Sequence, residues 1–214
     1  MTVTAMTKPT ATMTPEQRVA TVFQLLQNAS KTSFMGEEIT QLEHALQGAQ
    51  LAKKDGADEA TILAILLHDI GHLCPSTEPC TNTSGKVWAA FHKTNVTADI
   101  NEINHARLGA EYLHKLGFSE KTCELIDSHI VAKRYLSAKD PEYLAKLSVG
   151  SKQSLKLHGG PFTPAEMREF EKDPLFKVKV QIRKWEEAAR VPGVKTPTLD
   201  AYCEMAIRNL KQVV

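Results

Sequence analysis

Five side chains in this 214-residue sequence could together hold metal ions: His44, His68, Asp69, His105 and His129. Imidazole and carboxylate are the usual ligands of borderline and hard divalent metals. A lone histidine says little, but each of these four stands in apolar surroundings. His68 and Asp69 close the run Ile62-Leu63-Ala64-Ile65-Leu66-Leu67, which sets two polar groups against the core. A buried ionised Asp is costly unless a cation or hydrogen bonds compensate it. Adjacent residues on a helix point about 100° apart, so Asp69 could reach two ions while His68 holds one. His44 is followed by Ala45 and Leu46, and His105 by Ala106 and Leu108. His129 lies in Leu125-Ile126-Asp127-Ser128-His129-Ile130-Val131. Convergence of the five would make a two-metal site.

A second set suits an anion. His129 and Lys133 are four residues apart and share one helix face, as do Arg183 and Glu186, three apart. Arginine offers a forked donor set matched to phosphate or phosphonate. Ser151 and Ser154 add hydroxyls in a stretch that ends Gly159-Gly160-Pro161, where backbone can approach a ligand closely. A small substrate that is both chelating and anionic would use both sets.

The elements that must position these residues read as successive helices, with few alternating strand patterns. Helical segments are expected over Glu16–Gln27 and Glu38–Lys54, then from Asp58-Glu59 through the all-apolar run into His68-Asp69-Ile70-Gly71-His72, where Gly71 loosens or ends it. A helix apolar on all sides belongs in the middle of a domain. Asn104–Leu116 follows, then a helix from an N-cap at Ser119 to Ala132. Thr163-Pro164-Ala165-Glu166 has the form of a capping box with Pro at the first helical position. A charged helix is expected around Lys177–Arg190 and a last one from about Leu199. Pro75–Gly85 reads as a loop continuing to about Asp99. The fold class is therefore all-α: one helical domain over 15–214 behind a disordered leader, 1–14.

Composition is ordinary for a globular chain, with 42% hydrophobic and 24% charged residues. A formal net charge of +1 gives no bulk attraction to nucleic acid or anionic membrane. The longest apolar run is too short to cross a bilayer. Cys74, Cys80, Cys123 and Cys203 show no CxxC spacing and no export signal precedes them, so reduced thiols and a cytoplasmic location are expected.

The sequence resembles the HD-domain superfamily, whose signature is His…His-Asp…Asp and whose members are mostly phosphohydrolases. It is similar in particular to the mixed-valence di-iron HD oxygenases that cleave 1-hydroxyalkylphosphonates, relatives of inositol oxygenase. The resemblance is carried by Phe34-Met35-Gly36-Glu37-Glu38-Ile39-Thr40-Gln41-Leu42-Glu43-His44-Ala45-Leu46-Gln47 and by Leu66-Leu67-His68-Asp69-Ile70-Gly71-His72. It continues in His105 with Gly109-Ala110-Glu111-Tyr112-Leu113, His129 with Lys133, Ser151 to Pro161, and Arg183-Lys184-Trp185-Glu186. It implies a single HD-domain helical bundle holding two Fe ions, Fe(II) and Fe(III), with dioxygen as co-substrate. One iron would take His44, His68, Asp69 and Glu186; the other would take Asp69, His105 and His129. The substrate's phosphonate would meet His72, Lys133, Ser151, Ser154 and Arg183, and Glu37 would help select its far end. The implied products are a carboxylic acid and inorganic phosphate.

Four departures from that family stand out. Glu186 occupies the position of an Asp ligand, Phe34 that of a gating Tyr, and His158 that of a Gln before Gly-Gly-Pro; the His72-to-His105 connection is long. Two further functions fit the same residues: a metal-dependent phosphohydrolase acting on a nucleotide or phosphomonoester, and a ligand-binding relative without redox activity.

Overall fold

A computed structural model describes residues 13–31, 33–34, 38–74 and 100–211, with side chains from residue 105 in the last stretch. Glu37, Cys80, the loop expected after Pro75 and the leader up to residue 12 lie outside the described residues.

Eleven α-helices are present among the described residues: α1 (Pro15–Asn28), α2 (Gln41–Lys54), α3 (Glu59–Leu67), α4 (Ile100–Lys115), α5 (Glu120–Asp127), α6 (His129–Lys139), α7 (Pro141–Lys146), α8 (Val149–Leu157), α9 (Pro164–Phe170), α10 (Phe176–Ala188) and α11 (Cys203–Lys211). The only extended pairing among these residues is one isolated bridge between Ser33 and Thr40, so the all-α expectation holds. No described helix is long and apolar enough to cross a membrane.

Helix starts follow the local chemistry. Thr40 caps α2 and exchanges hydrogen bonds with Glu43, which places the start three residues later than the pattern from Glu38 suggests. Asp58 caps α3, and Thr163 with Glu166 forms the expected capping box on α9. α3 is the central helix: every residue from Thr61 to Leu67 is buried. Each buried Leu or Ile side chain there contributes about 2 kcal/mol. α2, α5, α10 and α11 pack against it, while α4 packs on α5 and on the turn that follows α3. A smaller core forms beyond α5, where Val131, Tyr135 and Leu136 meet Phe162 and Phe170.

Two helices end earlier than the sequence pattern implies. α3 stops at Leu67 rather than Gly71; His68 and Asp69 lie just past its end, followed by a 3₁₀ turn over Ile70–His72. The segment expected from Ser119 to Ala132 is two helices broken at Ser128. Side chains cause both breaks. Ser128 Oγ donates to Leu125 O, and His129 Nδ1 to Ile126 O, each at 2.8 Å. In an unbroken helix those carbonyls would accept from backbone amides. Helices α7 and α8 were not anticipated, although Asp140 and Ser148 cap them.

Gly71 lets two backbones meet. A Cβ there would overlap the carbonyl oxygen of His105 and lie 2.8 Å from Gly109 N. Gly71→Ala therefore pushes α4, and His105 with it, away from the turn that follows α3. We expect a loss of about 3 kcal/mol in thermal or urea unfolding, whereas an unchanged melting temperature would deny the close packing.

Candidate metal centre

Two of the four histidines stand at helix ends, each ring steered by a carbonyl three residues earlier. His68 Nδ1 donates to Ile65 O and His129 Nδ1 to Ile126 O, both at 2.8 Å. His44, in the first turn of α2, donates Nδ1 to Ala189 O at 2.8 Å, just past the end of α10. A carbonyl only accepts, so each Nδ1 carries the hydrogen and each Nε2 of the neutral ring keeps a lone pair. Those atoms converge. His44 Nε2 is 3.2 Å from His68 Nε2, and His105 Nε2, projecting from α4, is 3.0 Å from His129 Nε2.

Two groups result: His44, His68 and Glu186, and Asp69, His105 and His129, the ligand atoms of each group lying within 4.8 Å of one another. Asp69 faces both. Its Oδ2 is 3.3 Å from His68 Nε2, while its Oδ1 is 3.6 Å from His105 Nε2 and 3.9 Å from His129 Nε2. The break after Leu67 serves this arrangement, because the turn, rather than helical phase alone, aims the carboxylate between the groups.

Burial and charge act strongly here. Burial pushes the His44 imidazole down to about 4, with His68 adding to the effect. Burial acts the same way on His68, yet the Asp69 carboxylate beside it raises that ring to about 9. Burial opposes the charge on Glu186, but the Arg183 guanidinium outweighs it and brings the carboxyl to about 2. His129 is held well below the ordinary imidazole range by burial.

These residues fit divalent metal ions. Glu186 is 4% exposed, and its Oε2 is buried without a hydrogen-bond partner. An ionised oxygen left in that state is costly unless a cation meets it. The paired Nε2 lone pairs pose the same problem twice. An ion in each group would answer all three, with Asp69 shared between them.

Beside the metal ligands lie buried cations. Lys133 is 3% exposed and donates to Ser154 Oγ at 2.7 Å. Burial, reinforced by Arg183, pushes its amine down to about 7. Arg183 donates Nε to Tyr143 OH at 2.9 Å and directs its fork at Glu186 and Glu187. It thus bears on the site through the carboxylates it holds. Ser151 is buried and accepts from Arg190 Nη2 at 3.2 Å. His72 is exposed, and its ring stacks on His105 at 4.0 Å, next to the second group. His158, the residue before Gly-Gly, is buried with Nδ1 3.2 Å from Ser154 Oγ. Phe34 stacks on the His44 ring with centroids 3.9 Å apart, so the position of the gating Tyr holds an apolar lid on a candidate ligand.

Tyr143, Glu187 and Arg190 escaped the sequence reading. A signal existed in the charge ladder Arg183, Glu186, Glu187, Arg190, whose members recur at three- and four-residue spacing.

A family model for the HD domain matches residues 41–153, which span His44, His68, Asp69, His105 and His129. The chain belongs to the HD domain family. Within it, this HD-domain protein is 38% identical over 190 residues to a hydroxymethylphosphonate dioxygenase of Gimesia maris, covering 88% of this chain and 86% of the relative. It is 36% identical over 175 residues to a [1-hydroxy-2-(trimethylamino)ethyl]phosphonate dioxygenase (glycine-betaine-forming) of Leisingera caerulea, covering 82% and 81%. An uncharacterized protein of Acanthamoeba polyphaga mimivirus is 32% identical over 196 residues, covering 92% and 83%. The first two relatives are both named as dioxygenases of phosphonates with a hydroxyl on the carbon attached to phosphorus.

Proposed function

We propose that this HD-domain protein is an iron- and dioxygen-dependent oxygenase that cleaves the carbon–phosphorus bond of a small 1-hydroxyalkylphosphonate. The observation that carries the reading is a carboxylate, Asp69, facing two buried ligand groups, with buried Lys133 alongside. The relatives' dioxygenase names support the same chemistry. His44, His68, Asp69 and Glu186 would hold one iron, and Asp69, His105 and His129 the other. Bound there, iron supplies redox chemistry toward dioxygen and Lewis acidity toward the substrate's oxygens.

The reaction balances without water: R–CH(OH)–PO₃H₂ plus O₂ gives R–COOH plus H₃PO₄. The carbinol C–H, the C–P and the O–O bonds break, one C–O and one P–O bond form, and the carbinol hydrogen ends as a proton on oxygen; the carbon loses the four electrons that dioxygen gains. The protein's own side chains divide the remaining work. Lys133 attracts the phosphonate, and the Ser151 and Ser154 hydroxyls orient its oxygens. Arg183 keeps Glu186 ionised and fixed. His72, on the rim against His105, and Glu37 complete the proposed substrate contacts. The low exposure around the ligands keeps competing water out.

Phosphate release from hydroxymethylphosphonate by iron-loaded protein should require air. Equal release under argon would overturn the oxygenase, and turnover of a phosphomonoester with manganese under argon would establish a phosphohydrolase instead.

The Lys133 shift gives this reading a pH signature. A free-enzyme amine near 7 is protonated below that pH and neutral above it, so capture of the anion weakens as pH rises through about 7. kcat/KM, which reports the free enzyme, should fall along that limb. Lys133→Met should flatten the limb and raise KM about 10- to 100-fold. A variant that keeps the wild-type profile would remove Lys133 from the anion site.

A further inference from the structure

Arg190 lies two residues beyond the end of α10 and touches both sides of the site. Its guanidinium carbon stands 5.2 Å from the centroid of the Phe34 ring. The Phe34 ring also stacks on His44, with centroids 3.9 Å apart and planes within 18° of parallel. Phe34 thus links the Arg190 guanidinium to a candidate metal ligand. The same guanidinium donates Nη1 to Ser148 Oγ and Nη2 to Ser151 Oγ, each at 3.2 Å. Ser148 caps α8 by accepting from Ser151 N, so Arg190 steadies the start of the helix that carries Ser151 and Ser154. Glu187, which also pairs with Arg183, lies 3.5 Å from Arg190 and fixes its approach.

We propose that Arg190 is a positioning residue that couples the anion side of the site to the first metal group. One planar cation does two separable jobs. The contact of its planar guanidinium with the Phe34 ring keeps that ring on His44 and limits rotation of the imidazole. Its charged N–H donor to Ser151 Oγ holds that hydroxyl where an anion oxygen would meet it, a task an ammonium of similar reach can take over. The inference rests on the metal and phosphonate readings above.

The test compares wild type, Arg190→Met, Arg190→Lys and Phe34→Leu. Cobalt(II) titration by visible absorption reads metal affinity, and KM for hydroxymethylphosphonate on iron-loaded protein reads the anion side. Arg190→Met should weaken one of two cobalt ions about tenfold, leave the other unchanged, and raise KM about tenfold. Arg190→Lys keeps the charge without the flat face, so it should restore KM but not cobalt affinity. Phe34→Leu should weaken the same single ion and leave KM alone. Unchanged values in Arg190→Met, an equal loss of both ions with a lowered melting temperature, or rescue of both properties by lysine would overturn the proposal. Should Arg190→Met not fold, Arg190→Lys and Phe34→Leu decide the question, since both must weaken the same ion without raising KM. Wild type that takes up no cobalt, or releases no phosphate, would instead defeat the underlying reading.

Discussion

An Asp69→Ala variant is expected to lose both metals and at least about a thousandfold in turnover. No other candidate ligand has this double consequence, because only Asp69 presents one oxygen to each group: Oδ2 toward His68, Oδ1 toward His105 and His129. Removing it leaves four histidines and Glu186, with His44, His68 and Glu186 in one half-site and only His105 and His129 in the other. Asp69→Asn should behave almost as badly, since it keeps the shape and discards the charge that balances two cations. Metal content per chain and phosphate release check both variants. Retention of two ions by Asp69→Ala would mean that the groups are independent, and the shared carboxylate would be an accident of packing.

Glu186 carries the second large effect. Glu186→Gln keeps the length of the side chain and an oxygen for Arg183, but leaves the buried position now held by Oε2 without a negative charge. We expect metal content to fall from two ions to one and turnover to fall about a hundredfold or more. The direction for Glu186→Asp is less obvious. Aspartate is the family's usual residue, yet here the glutamate already brings its oxygen within 4.8 Å of the His44 and His68 nitrogens. Shortening the side chain withdraws that oxygen by about a bond length while α10 stays anchored through Trp185 and Lys179. Glu186→Asp should therefore bind the first metal more weakly. Higher turnover in that variant would show that the extra methylene is a handicap rather than an accommodated length.

The histidines could be read from the sequence because their neighbours are apolar: a polar ring in Ile-Leu-Leu-His or Asp-Ser-His-Ile-Val context must face something in the core. What the pattern concealed was how the rings are aimed. His68 and His129 each break their helix by bonding a carbonyl three residues back. That competition between side chain and backbone leaves no trace in hydrophobic periodicity. The smaller helices α7 and α8 were missed for a related reason. Six- and nine-residue segments carry too few turns to show a period, and only their caps at Asp140 and Ser148 mark them. Arg190 was invisible because its partners, Phe34, Ser148 and Ser151, are distant in sequence and meet it only in the fold. The choice between Glu186 and Glu187 depends on the rotation of α10, which turns the first toward the histidines and the second toward Arg190.

The central claim is a single two-iron site bridged by Asp69. Mössbauer spectroscopy of protein loaded anaerobically with ⁵⁷Fe tests it most directly. The account predicts two iron subsites of equal area per chain, magnetically coupled after partial oxidation and perturbed by hydroxymethylphosphonate. One subsite per chain, or two uncoupled subsites indifferent to the phosphonate, would contradict it.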